Sequence, residues 1–237
     1  MKVALCLHGL VGGRIGQNGA GGSLDAKIAA EAYLRHLIRG NNVDVFIHSW
    51  SDDARDELLE LYQPIMAQIE PQRDFPAAGE IGSDLWRAHS RWYSTSAVVA
   101  LKSLYERQCG FTYDMVMLSR LDLAFFTDIN FQEFDPSYFW VSHWNDAPHE
   151  SNNFHGNRIN QKTGEGFLDL WFFSGSQLMD RFASLYENVD KYHPNPHVAS
   201  RQHLLTITER VQYIFYRYFD YELVRRKPHR DAIYKWS

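Results

Sequence analysis

The chain has little cysteine: two residues, Cys6 and Cys109, among 237. Cys6 lies in an apolar run and reads as a small buried hydrophobe. Two such thiols supply neither a disulfide framework nor a zinc site, and they fit a reducing, intracellular setting. Long hydrophobic runs are also missing. No stretch approaches the roughly 20 apolar residues needed to span a bilayer. The N-terminal apolar run, Val3 to Leu7, stops at His8 and Gly9, too short for the core of a signal peptide. A soluble protein is expected. There is no basic excess: 24 Lys and Arg stand against 29 Asp and Glu, for a net charge of −5. That excludes a general nucleic-acid binder. Internal repeats and low-complexity segments are absent. So are Gly-Lys-[Ser/Thr], G-x-G-x-x-G and G-x-S-x-G, which excludes a P-loop, a dinucleotide fingerprint and a nucleophile elbow.

Apolar residues make up 45% of the chain and aromatics 15%, enough for a substantial core. Seven of the 15 glycines fall between Gly9 and Gly22, directly after the first apolar run. "KVALCLH" (2–8) reads as a buried parallel strand. A helix follows from Ser23, as its cap, to about Arg39, and "VDVFIHSW" (43–50) is a second strand. Asp52 or Asp53 caps a second helix to about Leu61, and 64–70 is a short third strand. Residues 71–83 form a loop, and a long helix runs from about Asp84 to Arg107, ended by Gly110. Further strands are expected at 113–119, 138–144 and 169–175, with a helix capped by Ser176 over 176–189. Residues 199–219 read as largely helical, turning to strand near the end. Strands alternating with helices predict an α/β fold with a mostly parallel central sheet flanked by helices.

In such sheets ligands bind beyond the carboxyl ends of the strands. The rule selects His8–Arg14, Ser49–Asp53, Ser119–Leu123, His143–Asp146 and Ser174–Ser176. The glycine-rich segment carries one fixed charge, Arg14, ahead of a helix N-terminus. It reads either as a diphosphate cradle or as a solvated loop. His8 and Gly9 open it, and His8 is a phosphate or base contact or else a structural histidine. "LSRLDLAFF" (118–126) places Arg120 and Asp122 in a strongly apolar strand, which does not accept charge cheaply. The two either pair structurally or form a site at the strand end. Asp122 is a candidate ligand for Mg²⁺ or Mn²⁺, which prefer oxygen donors. Trp50 either stacks on a base or packs in the core. Residues 142–158 hold His143, Asp146, His149 and His155 without the periodicity that would align metal ligands. Trp144, Asn145 and Asp146 in that stretch are acceptor-site candidates, since sugars stack on aromatic faces and bond to amides and acids. The basic tail, from Arg225 to Lys235, is either a solvated terminus or a contact for an anionic lipid surface.

In order along the chain stand "DVFIHSW", "RWYSTSAVVALKSLYE", "YDMVMLSRLDLAFF" and "DLWFFSGSQLMDRFASLY". This series resembles a family of small bacterial and viral polysaccharide glycosyltransferase-like proteins, over most of the chain from Lys2 to about Arg210. The resemblance implies a single GT-A-like domain. Residues 1–130 would bind a nucleotide-sugar donor, and 131–237 would form the acceptor side with the C-terminal helices. It also implies sugar transfer to a glycan or glycolipid in the cytoplasm. Asp122 stands where such enzymes place a metal- or diphosphate-binding acid. Arg120 replaces the first acid of their Asp-x-Asp motif, which leaves Mn²⁺ or Mg²⁺ dependence open. Asp169 matches the acid before the aromatic run and is the candidate catalytic base or acceptor ligand, against a strand-start aspartate bonded to nearby amides. The alternative from another class is a non-catalytic nucleotide- or glycan-binding protein on the same scaffold.

Overall fold

The computed structural model describes residues 1–11, 25–143, 166–217 and 219–224. In chain order the strands are β1 (Lys2–Gly9), β2 (Asn42–Ser49), β3 (Met66–Ile69), β4 (Met115–Arg120), β5 (Leu123–Phe125), β6 (Phe139–His143), β7 (Leu168–Ser174), β8 (Val211–Tyr216) and β9 (Tyr221–Leu223). The α-helices are α1 (Ala26–Tyr33), α2 (Arg55–Tyr62), α3 (Asp84–Cys109), α4 (Ser176–Ala183) and α5 (Pro196–Leu204).

Every residue of β1 from Val3 to His8 is buried. A strand buried along its length must be covered on both faces, and successive side chains point to opposite sides. Val3, Leu5 and Leu7 enter one core, and Ala4 and Cys6 enter another. The neighbours obey the same period. Val45, Ile47, Met115, Met117 and Phe173 join the first core, whereas Phe46, Val116, Leu118 and Phe172 join the second. The first core is closed by Ile28 and Tyr33 of α1 and Leu58 of α2. The second is closed by Trp92, Val98 and Val99 of α3, Met179 and Phe182 of α4, and Ala199 and Leu204 of α5.

The central sheet has seven strands in the order β3-β2-β1-β4-β7-β6-β8. All neighbours are parallel except β7, which runs antiparallel to β4 and β6. The expected α/β architecture, a mostly parallel sheet flanked by helices in one domain, is therefore the one the chain adopts. A small antiparallel pair, β5–β9, lies apart from it. No helix among the described residues is long and apolar enough to cross a membrane.

Several local expectations are corrected. The helix expected over 23–39 begins at Ala26, with Asp25 as its cap; the Asp25 side chain accepts from Lys27 N at 3.0 Å. Ser23 lies outside the described residues. The same helix widens into a π-turn at Leu34–Ile38, where Arg39 N donates to Leu34 O. The wider turn leaves His36 O for Ile129 N, and Asn41 Nδ2 joins Leu37 O to Ile129 O. The helix from 176 ends at Ala183 and continues as a 3₁₀ segment to Lys191. Gly175, not Ser176, is its cap residue. Ser176 is turned inward, where its hydroxyl donates to Glu106 Oε1 at 2.7 Å and accepts from Lys102 Nζ at 2.6 Å. Lys102 is fully buried, and its ammonium also meets Glu106 and Asp180 carboxylates at 2.9 and 2.6 Å. The stretch 199–219, expected to be largely helical and to turn to strand near its end, is helical only to Leu204, and the strand over residues 211–216, β8, pairs with β6.

Candidate functional site

The strand ends bring together residues far apart in sequence. In register, His8 lies between His48 of β2 and Arg120 of β4. Because β7 is antiparallel, its beginning meets the carboxyl end of β4, with Ser119 opposite Trp171. Asp169 thus lies at the same sheet edge as His8 and Arg120. The helix α3 crosses behind this edge and contributes Arg91.

Arg91 joins β1 to β7. Its Nη1 donates to His8 Nδ1 at 3.5 Å and to the Thr95 hydroxyl. Its Nε lies 3.4 Å from Asp169 Oδ2, and its Nη2 donates to Asp169 O at 2.9 Å. His197, near the start of α5, places Nδ1 3.1 Å from Asp169 Oδ1, 3.1 Å from Asp169 N and 3.0 Å from Phe167 O. A second guanidinium, Arg120, grips Asp122 in bidentate fashion: Nε to Oδ1 at 2.7 Å and Nη2 to Oδ2 at 2.9 Å. Tyr33 of α1 fixes the backbone here, since its hydroxyl donates to Arg120 O at 2.7 Å. Arg120 is 17% exposed, and its Nη1 makes no hydrogen bond among the described residues.

The electrostatics follow from this packing. Burial drives the His8 imidazole well below its ordinary range, and the cationic Arg91 and Arg120 add to the effect. His8 is therefore neutral. Arginine only donates, so the Nδ1 facing Arg91 is the acceptor and the ring proton sits on Nε2. That Nε2 is buried with no partner among the described residues. Burial lowers Arg91 to about 10, partly offset by Asp169, so it is charged at neutral pH. Burial would raise the Asp169 carboxyl, but His197, Arg91 and Arg120 together hold it below the usual carboxylate range. For Arg120, the attraction of Asp122 outweighs burial and raises the guanidinium.

The sequence-selected residues fare differently. His8, Arg120, Asp122 and Asp169 converge on one edge. Gly9 ends β1 with φ +105°, a conformation that favours glycine. Trp50 is packed in a small core with Phe75, Ala78 and Trp86, and one face of its ring stacks on Tyr93 at 5.3 Å. Arg14, Trp144, Asn145 and Asp146 lie outside the described residues, as does the basic tail. Sequence reasoning missed Arg91, Thr95 and His197. For the first two a signal exists: Arg91, Ser94 and Thr95 are polar positions at helical spacing beside the buried Ala88, Trp92, Val98 and Val99.

No protein-family model and no curated protein matches the chain.

Asp122 is engaged by a guanidinium. Both Asp122 oxygens are taken by Arg120, and no group of three or more His, Cys, Asp or Glu among the described residues could hold a metal ion. Nη1 of Arg120 and Nε2–H of His8 are the donors suited to hydrogen-bonding an oxyanion, while the Asp122 and Asp169 carboxylates only accept and hold the two guanidiniums in place. Two positive charges face two negative ones, so such binding rests on directed N–H groups more than on net attraction.

Proposed function

We propose that this protein is a glycosyltransferase that moves a sugar from a nucleotide-diphosphate donor to a glycan or glycolipid acceptor, in the cytoplasm. The observation that carries the reading is Arg120. Asp122 locks its guanidinium in place, while Nη1 stays unbonded among the described residues at the carboxyl edge of the sheet. Strand order agrees with this placement, since ligands of α/β sheets sit beyond that edge.

In the reaction, the bond from the anomeric carbon to the diphosphate oxygen breaks as the acceptor oxygen bonds to that carbon. The acceptor's proton leaves to a base, and the leaving diphosphate gains negative charge. Arg120 would stabilise that charge where other enzymes use a cation. Mn²⁺ or Mg²⁺ would supply the same stabilisation if bound, but no step is assigned to it, because Asp122 is engaged by Arg120. His8 Nε2–H and the Gly9 end of β1, with Arg14 beyond it, form the rest of the donor side. Trp144, Asn145 and Asp146 are assigned to the acceptor. Asp169 is assigned to the attacking hydroxyl. Its lowered proton affinity makes it a weak base, and its contact with Arg91 ties the donor side to the acceptor side.

A second reading is favoured by one observation: the carboxylates Asp122 and Asp169 are both held by arginines. A nucleotide- or glycan-binding protein without turnover would have such a site. Incubation with UDP-, GDP- and CDP-sugars and assay of released nucleotide separate the two. Release that Arg120→Ala abolishes supports the transferase; binding without release supports the binder.

A further inference from the structure

The segment "HSWS" (48–51) has a use that the donor site alone does not assign to it. Gly9, next to His8, is held at both ends of its own residue. Its N–H donates to Ser94 Oγ at 3.2 Å, and its carbonyl accepts from Ser49 Oγ at 3.0 Å and Trp50 N at 3.2 Å. Two residues on, Val11 N donates to Ser51 Oγ at 2.9 Å.

Behind Ser94 stands a directional chain. His48 is fully buried, with Nδ1 2.7 Å from Ser94 Oγ and Nε2 3.2 Å from Glu70 Oε1. Trp50 and Tyr93 hold the ring edge-on at 4.7 and 5.6 Å. Glu70 also accepts from Gln68 Nε2 and Arg73 Nη2. Burial would raise its carboxyl, but the bonds from His48, Arg73 and Gln68 hold it below the usual range, so it is an ionised acceptor. His48 must then donate from Nε2. Burial keeps the imidazole neutral against the pull of Glu70, so Nδ1 accepts. Ser94 therefore gives its hydrogen to His48 and turns a lone pair to Gly9 N–H. Every donor in the chain has one direction.

We propose that Glu70, His48 and Ser94, with Ser49, are positioning residues that fix the Gly9 peptide and so set the place of His8 at the donor site. The assignment rests on the donor reading above. It gives "DVFIHSW" a mechanical part in that site: the strand end beside β1 clamps the backbone from which a donor-side residue projects.

The test uses the full chain and the variants Ser94→Ala, Glu70→Ala and Glu70→Gln, with UDP, GDP, CDP and CMP as probes. Glu70 lies at the rim, so its variants keep the core intact. In Ser94→Ala, exchange of the Gly9 amide should accelerate at least about tenfold while Phe46 and Ile47 stay protected. Affinity for the best-bound nucleotide should fall at least about tenfold in Ser94→Ala and fall also in Glu70→Ala. Glu70→Gln still offers His48 an acceptor and should bind as the unaltered chain does. Unchanged Gly9 exchange, unchanged affinity in Ser94→Ala, or a Glu70→Gln as weak as Glu70→Ala overturns the assignment. Absence of nucleotide binding by the unaltered chain overturns the donor reading and this assignment together.

Discussion

Asp122→Asn is the most informative single change. The substitution keeps shape and removes one charge. It replaces one oxygen with an N–H₂ group that faces the N–H groups of Arg120. Both charge-assisted bonds, at 2.7 and 2.9 Å, are affected. Removing one partner of a buried ion pair costs about 3–5 kcal/mol, because the other charge is left uncompensated. Two features lower that figure here. Arg120 is 17% exposed and can regain some hydration, and Asp169 also attracts its guanidinium. A loss of about 2–3 kcal/mol follows. In a domain of this size that corresponds to a fall in melting temperature of about 4–12 °C. Urea unfolding followed by circular dichroism reads it as a lower midpoint at unchanged slope. The double variant Arg120→Met/Asp122→Leu removes both charges and should lie within about 1 kcal/mol of the unaltered chain. A single-variant loss under about 1 kcal/mol, or a double variant as poor as the sum of the singles, would refute the electrostatic coupling.

Other consequences are as direct. His8, His48 and His203 all bind protons less readily in the folded chain than the ordinary value of 6.5. The unfolded chain therefore takes up protons that the fold cannot. Stability is full above about 6.5 and falls as pH drops below it, by at most about 1.4 kcal/mol per pH unit for each histidine. Urea midpoints from pH 7.5 to 5 should show this slope, and His203→Gln should reduce it; a flat profile contradicts the assignment. Tyr33→Phe removes the hydroxyl that bonds Arg120 O and Ser119 Oγ, at a cost of about 1 kcal/mol in the same assay. Gly175→Ala would bring a Cβ to 2.8 Å from Pro136 O. That forces a backbone shift costing about 1–3 kcal/mol, and a neutral result would mean the α4 start moves freely.

What was legible in the sequence was set by local chemistry. The runs 3–7 and 115–118 are apolar throughout because both faces of their strands are covered. The 26-residue helix α3 was readable from its ends: Ser83 Oγ accepts from Trp86 N, and Gly110 follows with φ +69°. The elements with weak local signals depend on partners distant in sequence. "VQYIFY" extends because it pairs with β6, and the three-residue β5 and β9 exist only against each other. Ser176 looks like a cap until Lys102 arrives from 74 residues away.

The site divides in the same way. His8, Arg120 and Asp122 are charged or polar residues at the carboxyl ends of apolar strands, so a rule about strand ends finds them, whereas Asp169 stands at the start of β7 and only the family resemblance singles it out. Arg91 lies mid-helix, and only the crossing of α3 behind β1 and β7 gives it a role. Trp50 illustrates the reverse. An aromatic residue at a strand end suits a ligand or a core equally well. The choice is made by Phe75, Trp86 and Tyr93, which pack around it from residues 75–93.

The central claim is that the carboxyl edge of β1 and β4 binds a nucleotide diphosphate through Arg120. A thermal-shift panel of UDP, GDP, CDP and CMP, each with and without Mn²⁺, tests it most directly. The account predicts stabilisation by at least one diphosphate without added metal, lost in Arg120→Ala and weakened in Asp122→Asn. No shift with any nucleotide, or an equal shift in both variants, would contradict it.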